Sequence, residues 1–184
     1  MPFIDTPIPG LFVFEPKVFE DARGYFFESF NAAVFSEKGI NVNFVQDNQS
    51  KSTYGILRGL HYQLDPFAQA KLVRVISREV LDVAVDVRKG SPTFGQHFGI
   101  ILSAENKKQL YIPRGFAHGF VVLSETAEFF YKCDNFYSKE HDAGILYNDE
   151  TLNIDWKINP ADIKVSEKDA NLPTFPYALN NFQY

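Results

Sequence analysis

Residues 79–88, EVLDVAVDVR, alternate strictly, with Leu81, Val83, Val85 and Val87 on one face and Asp82, Ala84 and Asp86 on the other. That period of two predicts a half-buried strand with one polar side. Similar short runs at 24–30, 56–63, 70–76, 97–102, 109–112, 118–123 and 127–133 predict further strands. Turn-forming clusters separate them: Lys89-Gly90-Ser91-Pro92, Ser103-Ala104-Glu105-Asn106, Pro113-Arg114-Gly115 and Ser124-Glu125. Many short strands at this spacing predict an all-β sandwich or jelly roll. Helix signals are few. Asn31 to Lys38 predicts one short helix that Gly39 ends, and Asn159-Pro160-Ala161-Asp162 opens a stretch of one or two turns.

Composition narrows the class. The 184 residues are 45% hydrophobic and 16% aromatic, without repeat or linker, which predicts a single domain over 1–184. A chain of that length buries about two thirds of its unfolded surface. The apolar runs are too short to span a bilayer, and the opening MPFIDTPIPG has no signal-peptide pattern, so no membrane is expected. One cysteine, Cys133, excludes an internal disulfide and a cysteine-built metal site and fits a reducing cytoplasm. A net charge of -5 argues against nucleic acid as partner, yet leaves room for a few basic side chains that hold a phosphorylated small molecule.

The candidate chemistry begins at residues 57–63, LRGLHYQ, where one of four histidines, His61, follows Arg58 inside an apolar run. A histidine there is either a core residue held by a hydrogen bond or a base beside a fixed cation. Residues 113–120, PRGFAHGF, resemble the second half of the cupin signature, a Pro-x-Gly-x-x-His turn entering a strand. The first half is incomplete, because the metal-binding His-x-His pair reads His61-Tyr62-Gln63 and no glutamate follows closely. His61 and His118 fall short of the three protein ligands that a catalytic metal ordinarily has. The expectation is therefore a cupin-like jelly roll, with a few short helices, no metal and a histidine free to carry a proton.

Seven separated segments then align with one family. FEPKVFEDARGYFFESF (14–30), FVQDNQS (44–50), LRGLHYQ (57–63), AKLVRV (70–75), VLDVAVDVRKGSPTFGQ (80–96), IPRGFAHGF (112–120) and VSEKD (165–169) resemble the dTDP-4-dehydrorhamnose 3,5-epimerases. The resemblance implies a homodimer without cofactor that acts on dTDP-4-dehydro-6-deoxy-D-glucose. A ketone at C4 acidifies the C–H bonds at C3 and C5, so inversion calls for a base on one face, an acid on the other and a cation at the enolate oxygen. The matching positions are His61 as base, Asp169 as its carboxylate partner, Tyr131 as acid and Lys71 at the enolate, with Asp82 as a counter-charge for Lys71. Taken alone, Asp169 reads as a surface aspartate beside Lys168, and Tyr131 equally suits an aromatic core. For substrate binding the match implies Arg23, Glu28, Gln46, Asp47, Asn48, Arg58, Lys71, His118, Asp142 and Lys168. Phe19, from the partner subunit, and Tyr137 are implied to flank the thymine.

Four positions depart from the family pattern: Arg78 for glycine, Asp142 for glutamate, and Tyr111 and Tyr147 for tryptophans. These touch substrate detail and one hairpin turn, not the base, acid or lysine. Two other readings stand beside the first, a single-centre 3- or 5-epimerase and a non-catalytic cupin that binds a sugar nucleotide.

Overall fold

The computed structural model describes residues 2–184. Its strands are, in chain order, β1 (Phe3–Asp5), β2 (Phe12–Phe14), β3 (Phe19–Asp21), β4 (Gly24–Phe26), β5 (Gln46–Thr53), β6 (Leu57–Gln63) and β7 (Lys71–Ser77). They continue with β8 (Glu79–Asp86), β9 (His97–Ser103), β10 (Gln109–Ile112), β11 (Phe116–Val122), β12 (Thr126–Cys133) and β13 (Asp142–Gly144). Helix α1 (Ala32–Glu37) follows β4, and the single turn α2 (Glu167–Ala170) lies near the C-terminus. The strands form a six-stranded sheet in the order β1-β2-β10-β7-β12-β5, a five-stranded sheet in the order β13-β6-β11-β8-β9, and a separate β3-β4 hairpin. Pairing within these sheets is antiparallel. The all-β jelly-roll expectation holds.

Three clusters hold the layers together. Val73, Val75 and Phe129 of the six-stranded sheet meet Val80, Ala84, Phe116 and Phe120 of the five-stranded sheet in the central core. The outer face of the five-stranded sheet packs Leu81, Val83 and Val85 under Leu152, Trp156 and Phe182 of the C-terminal segment. The outer face of the six-stranded sheet packs Phe14, Leu72 and Tyr111 under Phe35 of α1. Phe35 is fully buried and touches the rings of Phe3, Phe14, Phe30 and Tyr111. Each such ring removed from water contributes roughly 1.5–3 kcal/mol.

The two helix starts behave as predicted. Asn31 caps α1, its side chain accepting from the Ala33 N–H, and Gly39 follows the helix at φ +86°. Asn159 likewise caps a 3-10 turn at Pro160–Asp162.

Three details differ from the sequence pattern. β8 has no solvated side, because Ala84 belongs to the central core and both Asp82 and Asp86 are fully buried. Its alternation separates two buried faces, one covered by the partner sheet and one by the C-terminal segment. The run at 24–30 yields only β4, after which the chain leaves toward α1. The polar segment 46–53 is a full strand, β5, paired residue for residue with β12 from Thr53↔Thr126 to Gln46↔Cys133. At the β7–β8 turn Arg78 adopts φ +66°, the left-handed conformation that glycine takes at no cost.

Candidate active site

The site is built where β6 pairs with β11. In a regular strand Arg58 and His61, three positions apart, would point to opposite faces. The ladder slips instead: His118 pairs with His61 while Phe120 pairs with Arg58, so β6 carries an extra residue. Gly59 sits in that bulge at φ +127°, and a Cβ there would lie 2.6 Å from Gly119 Cα and 2.7 Å from the His118 carbonyl oxygen. Only glycine fits. The bulge turns Arg58 and His61 toward one cavity of about 600 Å³ at the mouth between the two sheets.

Asp169 reaches this cavity from α2 and is 3% exposed. Its Oδ1 lies 2.7 Å from His61 Nε2, and its Oδ2 accepts from the Gly59 N–H at 3.2 Å. Ser166 caps the turn, its Oγ accepting from the Asp169 N–H at 3.1 Å, so the Ser-x-x-Asp spacing in VSEKD fixes the carboxylate. Burial on its own would raise the Asp169 pKa. The His61 hydrogen bond and charge, with the Gly59 and Ser166 contacts, outweigh it and hold the group below the usual carboxylate range. The short contact at Nε2 leaves Nδ1 of a neutral His61 as the free ring nitrogen, since no hydrogen-bond partner engages it among the described residues.

The opposite wall comes from the six-stranded sheet, which contributes Asn48 from β5, Lys71 from β7 and Tyr131 from β12. Tyr131 and Asn48 are direct cross-strand partners, as are Cys133 and Lys71. Burial pushes the Tyr131 phenol up, Cys133 adds to this and Arg58 partly offsets it, so the hydroxyl keeps its proton. Burial pushes the Lys71 ammonium down, against Cys133, Asp82 and Asp142, which pull it up. Asp82 is not paired directly with Lys71 as expected. Its Oδ2 lies 2.9 Å from His118 Nε2, so it acts on Lys71 only at longer range. Arg58 donates from Nε to Ser52 Oγ at 3.2 Å.

The remaining predicted positions divide in two. Lys168 lines the cavity and forms an ion pair with Asp142, whose Oδ2 also accepts from the Tyr137 hydroxyl at 3.1 Å. Gln46 shares the face of Asn48 and donates to its Oδ1 at 3.0 Å without itself lining the cavity, and Asp47 pairs with Lys132 at 2.9 Å on the outer face. The β3-β4 hairpin lies apart from the cavity. Phe19 is 54% exposed, Arg23 reaches only its neighbour Asp21, and Glu28 accepts from Asn31 Nδ2 at 3.2 Å beside a separate hollow. Gln49, Ser50, Phe120, Phe129, Lys164 and Ser166 also line the cavity and were not anticipated. Only the capping pattern of Ser166 was readable beforehand.

As for metal, the described residues contain no group of three His, Cys, Asp or Glu side chains that could hold an ion. His61 and His118 stand side by side, but each commits Nε2 to its own aspartate. No helix among the described residues is long and apolar enough to cross a membrane.

Comparison with known proteins places the chain in a family. The family profile for dTDP-4-dehydrorhamnose 3,5-epimerase matches residues 5–176. The dTDP-4-dehydrorhamnose 3,5-epimerase of Shigella flexneri is 61% identical over 173 residues, covering 93% of this chain and 94% of its own. A crystal structure of the Elizabethkingia anophelis enzyme superposes with TM-score 0.92 at 58% identity, covering 95% of this chain and 96% of that one. A Legionella pneumophila dTDP-6-deoxy-D-glucose-3,5-epimerase, solved with dTDP-4-keto-L-rhamnose, gives TM-score 0.91 at 51% identity over 95% of this chain and 93% of its own. With matches of this extent in both sequence and fold, the chain belongs to the dTDP-4-dehydrorhamnose 3,5-epimerase family.

Proposed function

We propose that the protein inverts C3 and C5 of dTDP-4-dehydro-6-deoxy-D-glucose to give dTDP-4-dehydro-L-rhamnose, on the route to dTDP-L-rhamnose. One observation supports this most: His61, backed by the Asp169 carboxylate, and the partly buried Tyr131 phenol stand on opposite sheets, facing one cavity. Inversion at carbon removes a proton from one face and returns one to the other, and these walls supply both groups. His61 Nδ1 takes the proton alpha to the C4 ketone, and Asp169 steadies the imidazolium that forms. Lys71 holds the enolate oxygen as its negative charge develops. Tyr131 then gives its proton to the far face, and exchange with water resets both groups. Each centre loses one proton and gains one, so no oxidant, reductant or cofactor is consumed.

The diphosphate and thymidine fall to Arg58, His118, Asn48 and Lys168 at the cavity, with Tyr137 and Asp142 at its rim. Phe19, Arg23 and Glu28 lie away from it, and the hairpin exposes Phe19, Tyr25 and Phe26. A homodimer in which this hairpin completes the partner's site accounts for both facts. The free, buried Cys133 is in keeping with a reducing cytoplasm. Purified protein given dTDP-4-dehydro-6-deoxy-D-glucose, with the product's ring proton couplings read by NMR, tests the proposal. Inversion at both centres supports it. Inversion at one favours a single-centre epimerase, and binding without turnover favours a non-catalytic cupin.

A further inference from the structure

Gln63 ends β6, two positions beyond His61, and is 5% exposed. It occupies the place of the second histidine in a metal-binding cupin pair, yet its amide is fully committed elsewhere. Nε2 donates to the Phe67 carbonyl at 2.7 Å and the Phe136 carbonyl at 3.1 Å, and Oε1 accepts from the Ser138 N–H at 2.6 Å. Two of these three partners are the backbone groups immediately before and after Tyr137. The main chain of Gln63 is in addition the cross-strand partner of Asp142 in the β6–β13 ladder.

Tyr137 has little else to aim it. Its side chain lies at the surface, 58% exposed, no ring stacks on it among the described residues, and its one tie is the hydroxyl bond to Asp142. A side chain so placed points where its backbone points, and that backbone is pinned on both flanks by one buried amide. No other residue type of this size offers the same set. Glutamate would turn an acceptor toward two carbonyls, methionine would strand all three backbone groups, and asparagine is one methylene short.

We infer that Gln63 is a positioning residue for the nucleotide end of the substrate, holding the Tyr137 ring in place at the cavity rim through the Phe136 and Ser138 backbone. The inference rests on the proposed reading in which Tyr137 flanks the thymine. It separates two functions along one strand: His61 serves the sugar, and Gln63, two positions on, serves the base. His61, Lys71 and Tyr131 are held by other contacts, so once substrate is bound the chemistry proceeds without the clamp.

The test compares Gln63→Met and Tyr137→Ala, singly and together, by calorimetric titration with dTDP and by steady-state kinetics. Loss of the clamp is expected to weaken dTDP binding and raise KM by about tenfold while kcat stays within about twofold. In the Tyr137→Ala background the same change should add less than about twofold, because the residue it steers is gone. Gln63→Asn, which keeps both amide functions one methylene short, carries the same comparison if Gln63→Met does not fold, and is expected to weaken dTDP binding in the same direction. Unchanged dTDP affinity in the Gln63 variant, equal losses in both backgrounds, or a fall in kcat at constant KM would each overturn the clamp. A Tyr137→Ala protein with undiminished affinity would overturn the thymine reading beneath it, which is a different result from a failed clamp.

Discussion

Replacing Asp169 by asparagine isolates what the carboxylate contributes, because the side chain keeps its size. Asp169 uses both oxygens as acceptors, one facing His61 Nε2 at 2.7 Å and one from the Gly59 N–H at 3.2 Å. An amide has a single acceptor oxygen. If that oxygen serves His61, the amide nitrogen meets the Gly59 N–H donor to donor, which costs about 1–3 kcal/mol of stability. The larger effect is on rate. When His61 takes a proton, the imidazolium lies roughly 4 Å from the carboxylate charge, worth about 4 kcal/mol at an effective dielectric near 20. The His61 side chain is 32% exposed, so water screens part of this and about 2–3 kcal/mol remains, or roughly 30- to 150-fold in rate. The assay is washout of the C3 and C5 protons in D2O at saturating substrate, followed by NMR. A well-folded Asp169→Asn protein that exchanges within twofold of the parent would refute the argument that the charge supports the base.

His61→Ala should cost about 10²–10⁴ in turnover and in exchange alike, since it removes the base itself, and should lower the thermal midpoint with the fold retained, because Asp169 Oδ1 loses its partner. Tyr131→Phe should slow inversion while His61 still exchanges substrate protons with solvent, and equal loss of both would instead make Tyr131 a holding residue. Against pH, Asp169 and Asp86 are both held below the ordinary carboxylate range, Asp86 because its bonds to Arg88, Ser91 and Thr93 outweigh burial. A depressed carboxylate adds stability above its unfolded pKa and loses it as pH falls through the folded value, so chemical denaturation should show stability dropping below about pH 4. At the other end, burial raises Tyr62 and Tyr111 to about 12. A raised phenol contributes stability that is lost between the ordinary tyrosine value of about 10 and that folded value, and a flat denaturation profile there would contradict the assignment. Arg78→Gly should stabilise the β7–β8 turn by about 1 kcal/mol, read from urea midpoints, because the residue sits at φ +66°.

Much of the fold was legible because apolar alternation reports burial, and it failed where burial was unusual. β5, QDNQSKST, has no apolar residue to alternate, since as an edge strand it turns Asn48 and Ser50 to the cavity and Asp47 and Lys51 outward. The sequence of β8 reads as half-solvated because Asp82 and Asp86 look like surface residues, yet each is buried against a cation or ring nitrogen. In the site, no periodicity brings Arg58 and His61 together. The bulge at Gly59 does so, and it depends on Gly119 of another strand. Asp169 was identified by family resemblance, while its Ser166 cap was already written in the chain as Ser-x-x-Asp. The hairpin with Phe19 and Arg23 was placed in the site by resemblance alone, and one chain does not bring it there.

The proposed reaction transfers protons at two carbons, from one face to the other, by groups on opposite sheets. Turnover of dTDP-4-dehydro-6-deoxy-D-glucose in D2O, with the isolated product examined by NMR and mass spectrometry, tests it most directly. The expected product carries one solvent deuteron at C3 and one at C5, both in the inverted configuration. Product with inverted centres that retain their original protons, or with label at only one of them, would contradict it.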